Sequence, residues 1–142
     1  MYIYRSFAAQ RLSVNVPVGT RIPCHCNAMG RVLLTDLAED QLDMLYQHTR
    51  LDGYSFSAPQ TLPELKHVIQ ADKAAGWVEH RSDFSTAIAT GLKNHHGQVV
   101  AAINVSGPDT IMDELRQKDG IREALLATAR AISFEMGSKD SS

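Results

Sequence analysis

The chain has 142 residues, enough for one domain with its own apolar core. Hydrophobic residues make up 44% of it, the formal charge is −2 and the pI is near 6.3. That composition excludes a disordered chain, and the near-neutral charge makes the chain on its own a poor DNA binder, which needs a basic face. Taken in order, MYIYRSF alternates as a strand does, and RLSVNVPV (11–18) repeats the pattern with Leu12, Val14 and Val16 on one face. The first residues lack the apolar core and cleavage site of a signal peptide. No apolar run later in the chain approaches the length of a membrane span, so a cytoplasmic protein is expected.

Gly19 and Pro23 break the strand pattern ahead of the stretch GTRIPCHCNAMGRVLL. Cys24 and Cys26 are the only cysteines, and a disulfide across one residue is strained, so reduced thiols are expected. Read as a strand, the stretch sends both thiols one way and His25 the other, giving two small buried thiols and a half-exposed histidine. A structural zinc site usually has C-x₂₋₄-C spacing and a second ligand pair, and here only His95-His96 is available. From Asn27 a helix is predicted, with Asn27 as its N-cap and Met29, Val32 and Leu33 sharing a face. Gly30 lowers helix propensity there and lets another backbone approach.

Asp36 and Glu39 have the spacing of a capping box opening a second helix, with Leu42, Leu45 and Tyr46 as its apolar stripe. A loop follows through Gly53 and Pro59. TLPELKHVIQADKAAG carries the strongest helix signals: Thr61 and Glu64 as a capping box, Pro63 in the first turn, Leu65, Val68 and Ile69 inward, and Gly76 as the stop. The period then changes. WVEHR, STAIATGLK and VVAAINVSG read as strands, with the turn NHHGQ between the last two. IMDELRQK and IREALLATARAISFEM are helical, with Ile121, Leu125, Ala129 and Ile132 on one stripe and Gly137 at the end; SKDSS is a frayed tail. Paired strands with helices grouped between them predict an α+β domain with a mostly antiparallel sheet.

Few residues carry obvious chemistry. There is no G-x-S-x-G, H-E-x-x-H, Walker A or G-x-G-x-x-G motif, so neither an enzyme nor a nucleotide binder is expected. His80, Arg81, Ser82, Ser85 and Thr86 cluster polar groups of the kind that hold a carboxylate, although a solvated hairpin turn has the same composition. Asn104 and Ser106 alternate onto one strand face.

Three segments occur in an order that resembles the effector-binding domain of the IclR family of bacterial transcriptional regulators. Gly19, Ile22, Pro23, His25, Gly30, Arg31 and Leu34 follow that family's G-x-x-L-P-x-H-x-x-x-x-G-K-x-x-L pattern, with Ile for Leu and Arg for Lys. Gly76-Trp77 follow its helix-ending pattern, and Ala102, Ile103, Val105, Ser106, Gly107 and Pro108 its A-[AI]-S-[VI]-S-G-P strand. The resemblance covers residues 2–137. It implies a curved, mostly antiparallel sheet of about six strands with flanking helices, related to GAF and profilin-like domains. It implies an effector-binding domain over 1–137, leaving 138–142 as the flexible tail, and a DNA-binding winged helix-turn-helix absent from this chain.

The resemblance also implies a pocket for a small organic acid, with no cofactor, no metal and self-association as a dimer or tetramer. Carried over position by position, the pocket residues are Ile22, Ala28, Met29, His80, Arg81, Ala87, Asn104 and Ser106. The amides of Ala28 and Met29 would cradle a carboxylate at a helix start. His80 falls near an aspartate of some members and Ala87 near a cysteine, and the E-E-x-x-x-G segment is about three residues shorter. Together these departures imply a more cationic, roomier site. They suit a dianion or an aromatic acid, as in regulators of aromatic-acid catabolism of the β-ketoadipate type, and Arg81→Ala or Asn104→Ala is expected to weaken binding. Two alternatives stand beside this reading: a metal-responsive module built on Cys24, His25 and Cys26 with His80 or His95, and a small enzyme on a GAF-like scaffold.

Overall fold

A computed structural model describes residues 1–6 and 16–139, with the backbone alone for 115–118. Pro23 initiates a short 3-10 turn, Cys24–Cys26. Helix α1, Ala28–Leu34, follows at once; the Asn27 side chain accepts the Gly30 N–H at 2.7 Å and donates to the Pro23 carbonyl at 2.7 Å. Gly30 is required at its position. A Cβ there would lie 2.4 Å from both the Cα and the carbonyl oxygen of Cys24, so the 3-10 turn and α1 can pack this closely only without a side chain.

Helix α2, Glu39–Tyr46, starts three residues later than Asp36, and its first turn is capped by Gln41, which accepts the Ala38 N–H at 2.9 Å. The expected Asp36–Glu39 box is therefore replaced. The Asp36 carboxylate instead accepts the Val99 N–H at 2.6 Å, tying this loop to the sheet. Leu42 and Tyr46 are buried while Leu45 is exposed. Helix α3, Leu62–Ala75, follows its sequence signals: Thr61 Oγ1 accepts the Glu64 N–H, Leu65 and Ile69 are buried, and Gly76 closes it with φ +78°. Glu64 reaches back one residue further than a capping box requires, to the Gln60 N–H at 2.8 Å.

Three antiparallel strands in the order β1-β2-β3 form the sheet among the described residues: β1 Val78–Ser82, β2 Ser85–Lys93 and β3 Val99–Pro108. The NHHG turn joins β2 to β3, with Gly97 at φ +77° and the Asn94 side-chain oxygen accepting the His96 and Gln98 N–H groups. Residues 7 and 11–15 of the predicted N-terminal strand pair lie outside the described residues, and 1–6 and 16–18 are not strand. Tyr2 nonetheless exchanges backbone hydrogen bonds with Gly19 and Thr20, at 2.8 and 3.1 Å. Helix α4, Asp109–Met112, and helix α5, Leu115–Glu135, complete the chain, and Gly137 at φ +85° ends α5. Ser138 is buried, its N–H on the Ser133 carbonyl, so the first residue of the expected tail is packed; 140–142 lie outside the described residues.

The sheet separates two apolar layers. Ala28 and Val32 of α1 pack on Val78 and Ala89, flanked by Met29, Ala87, Val99 and Ala102. On the opposite face Ile88 packs against Met112 and Leu125, with Trp77, Ile103 and Ile121 around them. The Arg122 guanidinium stacks 5.0 Å above Trp77. A third cluster, Leu34, Leu42, Tyr46, Leu51, Leu65 and Ile69, joins α1, α2 and α3. Fully buried Leu65 and Ile88 each contribute about 2 kcal/mol of apolar burial. The result is the α+β architecture expected, with helices on both faces of an antiparallel sheet.

Candidate functional site

Side chains alternate along a strand, so the cross-strand register decides which residues share a face. His80 lies opposite Ala87, and Ala87 opposite Ser106. One rung further, Val78 lies opposite Ala89 and Ala89 opposite Asn104. All of these face α1, whose first residues are Ala28 and Met29. The fold therefore brings Ala28, Met29, His80, Ala87, Asn104 and Ser106 to one face, from segments nearly 80 residues apart. Ile22, half-buried, lies in the loop that leads into the 3-10 turn.

Arg81 does not join them. Its neighbour His80 points toward α1, so Arg81 points to the other face, where it pairs with Asp113 at the end of α4 and stands 3.8 Å from Glu79. The structure therefore separates Arg81 from the other residues expected to bind the effector. Its carbonyl accepts the Ser57 hydroxyl, which ties the α2–α3 loop to β1.

His80 is 5% exposed, and neither ring nitrogen has a hydrogen-bond partner among the described residues. Burial, aided by the nearby Arg31 charge, lowers its pKa from 6.5 to about 4, so the ring is neutral at physiological pH. Arg31 is itself buried and paired: Nε meets Asp72 Oδ2 at 2.9 Å and Nη2 meets Asp72 Oδ1 at 2.6 Å. This two-pronged pair locks α1 to α3. The strongly cationic site expected from His80 and Arg81 is therefore not assembled; the polar groups on this face are neutral donors and acceptors.

The Cys24-His25-Cys26 turn is not a strand, and its burial is the reverse of the strand expectation. His25 is 1% exposed, its Nε2 3.2 Å from the Leu51 carbonyl and its ring edge-on to Tyr54 and Tyr46. The two thiols are half-buried. Cys26 donates to the Pro23 carbonyl at 3.3 Å, and burial raises its thiol pKa, the opposite of an activated nucleophile. Among the described residues no three His, Cys, Asp or Glu side chains converge as metal ligands. The turn packs the start of α1 into the core.

Neither the Arg31–Asp72 pair nor the orphaned His80 ring was read from the sequence. Alternation along VEHRS would have separated His80 from Arg81; nothing local links residues 31 and 72.

Residues 1–134 match the family model described as bacterial transcriptional regulator IclR C-terminal. The chain belongs to this IclR C-terminal family. It is 30% identical over 129 residues to the HTH-type transcriptional repressor AllR of Escherichia coli K12, and 31% identical over 129 residues to AllR of Klebsiella pneumoniae. Each alignment covers 87% of this chain and 46% of the relative, so the IclR C-terminal chain spans less than half the length of these proteins. Both relatives are named as transcriptional repressors rather than enzymes.

The IclR C-terminal fold is shared with solved structures. The C-terminal domain of the E. coli transcriptional regulator KdgR superposes with a TM-score of 0.75 at 24% identity, over 84% of this chain and 74% of that one. The Thermotoga maritima IclR gives 0.79 at 17% identity, over 91% and 53%. Among the described residues no helix is long and apolar enough to cross a membrane.

Proposed function

We propose that this chain is the effector-sensing part of a transcriptional regulator, and that the sheet face beneath α1 binds a small organic acid. The observation that carries the reading is His80: a buried imidazole with both nitrogens unpartnered among the described residues, on the same face as Asn104 and Ser106. A buried polar group without a partner costs about 1–3 kcal/mol, a cost that a ligand at this face would remove. Ala28 and Met29 are the first residues of α1, and their N–H groups have no acceptor within the helix. With Asn104 and Ser106 they supply neutral donors for a carboxylate. Ala87, between His80 and Ser106, contributes only a methyl group to the middle of this face.

The finer reading, an aromatic acid of the kind sensed by regulators of aromatic-acid catabolism, rests on that small side chain alone, and the AllR relatives bear names that carry no aromatic ligand. In a whole regulator, a ligand preferring one arrangement of this domain shifts the population toward it; a coupling of about 1–3 kcal/mol suffices to change DNA binding by a separate domain. Self-association through this domain, as a dimer or tetramer, would carry the change between copies. A thermal-shift screen of aliphatic and aromatic carboxylic acids tests the reading, because a ligand that binds the folded state raises the melting temperature. The best stabiliser should lose affinity in Asn104→Ala and in Ser106→Ala. If both variants bind it as the native chain does, the face assigned here is wrong.

A further inference from the structure

The charge around His80 narrows the effector class further, on the basis of the ligand face proposed above. We infer that the inner end of the site, at His80, receives an uncharged hydrogen-bonding group, so that the effector is a monocarboxylate with a neutral polar far end rather than a dicarboxylate. Three observations lead there. Both nitrogens of the buried His80 ring are unpartnered among the described residues, and a neutral imidazole offers one donor and one acceptor. An uncharged amide or hydroxyl can meet either nitrogen, accepting from the ring N–H or donating to the bare nitrogen, whereas a carboxylate can only accept.

The second observation is that, among the described residues, the arginines nearest this end are already paired. Arg31, the charge nearest His80, spends both Nε and Nη2 on Asp72, and the Arg81 guanidinium lies on the far face with Asp113. A second carboxylate buried at His80 would find the Nε and Nη2 of Arg31 already held by Asp72, and a buried charge without a hydrogen-bonded partner is costly. Protonating the ring to meet it would work against both its burial and the Arg31 charge. The third observation is the register: His80 and Ser106 flank Ala87 on one rung, so they stand on strands about 10 Å apart. A ligand of about five carbons, or a para-substituted ring, bridges that span.

Matched probes test the inference. Glutarate is paired with glutaramate, and terephthalate with 4-carbamoylbenzoate, each titrated calorimetrically at pH 7.5 into the native chain, His80→Leu and His80→Gln. Circular dichroism checks that both variants are folded. The half-amide of at least one pair should bind the native chain ten or more times more tightly than its dianion. His80→Leu should erase that preference, and His80→Gln, which keeps a donor and an acceptor, should retain part of it. A dianion that binds as well as its half-amide, with both weakened by His80→Leu, overturns the charge class while leaving the ligand face standing. Binding unchanged in His80→Leu overturns both. No binding by any of the four probes also overturns this inference, and the wider acid screen then judges the ligand face separately.

Discussion

Replacing His80 with Leu should change how stability depends on pH. In the unfolded chain this histidine titrates at its ordinary value of 6.5, whereas in the folded protein burial and Arg31 hold it near 4. Protons therefore bind the unfolded chain first. The contribution of His80 to stability is complete above about pH 7 and declines as the pH falls toward 4. With those two values the native protein should lose about 2 kcal/mol between pH 7 and pH 5 through this one group. His80→Leu removes that loss. It also removes two buried polar atoms without partners, so at pH 7 the variant should be as stable as the native chain or about 1 kcal/mol more stable. Burial lowers the pKa of His25 too, so a shallower acid loss should persist in the variant. Urea unfolding of both proteins at pH 7 and pH 5, compared as a double difference, isolates the His80 share. If the variant loses as much stability as the native chain over that interval, His80 is not held neutral in the folded state and the reasoning fails.

The other expectations concern the supports of the same site. Gly30→Ala places a methyl group 2.4 Å from Cys24 backbone atoms that cannot swing aside; the strain outweighs the helix-propensity gain, and a net loss of about 2 kcal/mol should appear in the urea midpoint. Asp72→Ala leaves the Arg31 guanidinium buried and unpaired and should cost about 3–5 kcal/mol, most of it recovered when Arg31→Met is combined with Asp72→Leu. Arg81→Ala breaks a half-exposed ion pair on the opposite face; stability should fall by less than about 1 kcal/mol, and calorimetry should find the affinity for the best acid unchanged within twofold.

The elements with strong local chemistry were legible. Asn27, Thr61 and Gly76 mark the helix ends as their residue types require, and the NHHG turn sets the β2–β3 pairing. The resemblance motifs also picked out residues that share one face, because Asn104, Ser106, Ala87 and His80 fall together by alternation once the register is known. Arg81 was misplaced because chemical kinship with His80 outweighed the period of two, which sends neighbours to opposite faces. Asp36 had the spacing of a helix cap, yet a tertiary partner 63 residues away, the Val99 N–H, holds its carboxylate. The charge of the site was misjudged for the same reason. Arg31 and Asp72 pair across 41 residues, and burial holds the His80 pKa down; neither effect has a local signature.

The account stands or falls on where a small acid sits. Backbone amide spectra recorded while the best stabiliser of the screen is titrated in should show shifts gathered on Ala28, Met29, His80, Ala87, Asn104 and Ser106. Shifts gathered instead in the cleft between β2 and α5, at Lys93, Arg130 and Ser133, with the α1 face silent, would contradict it.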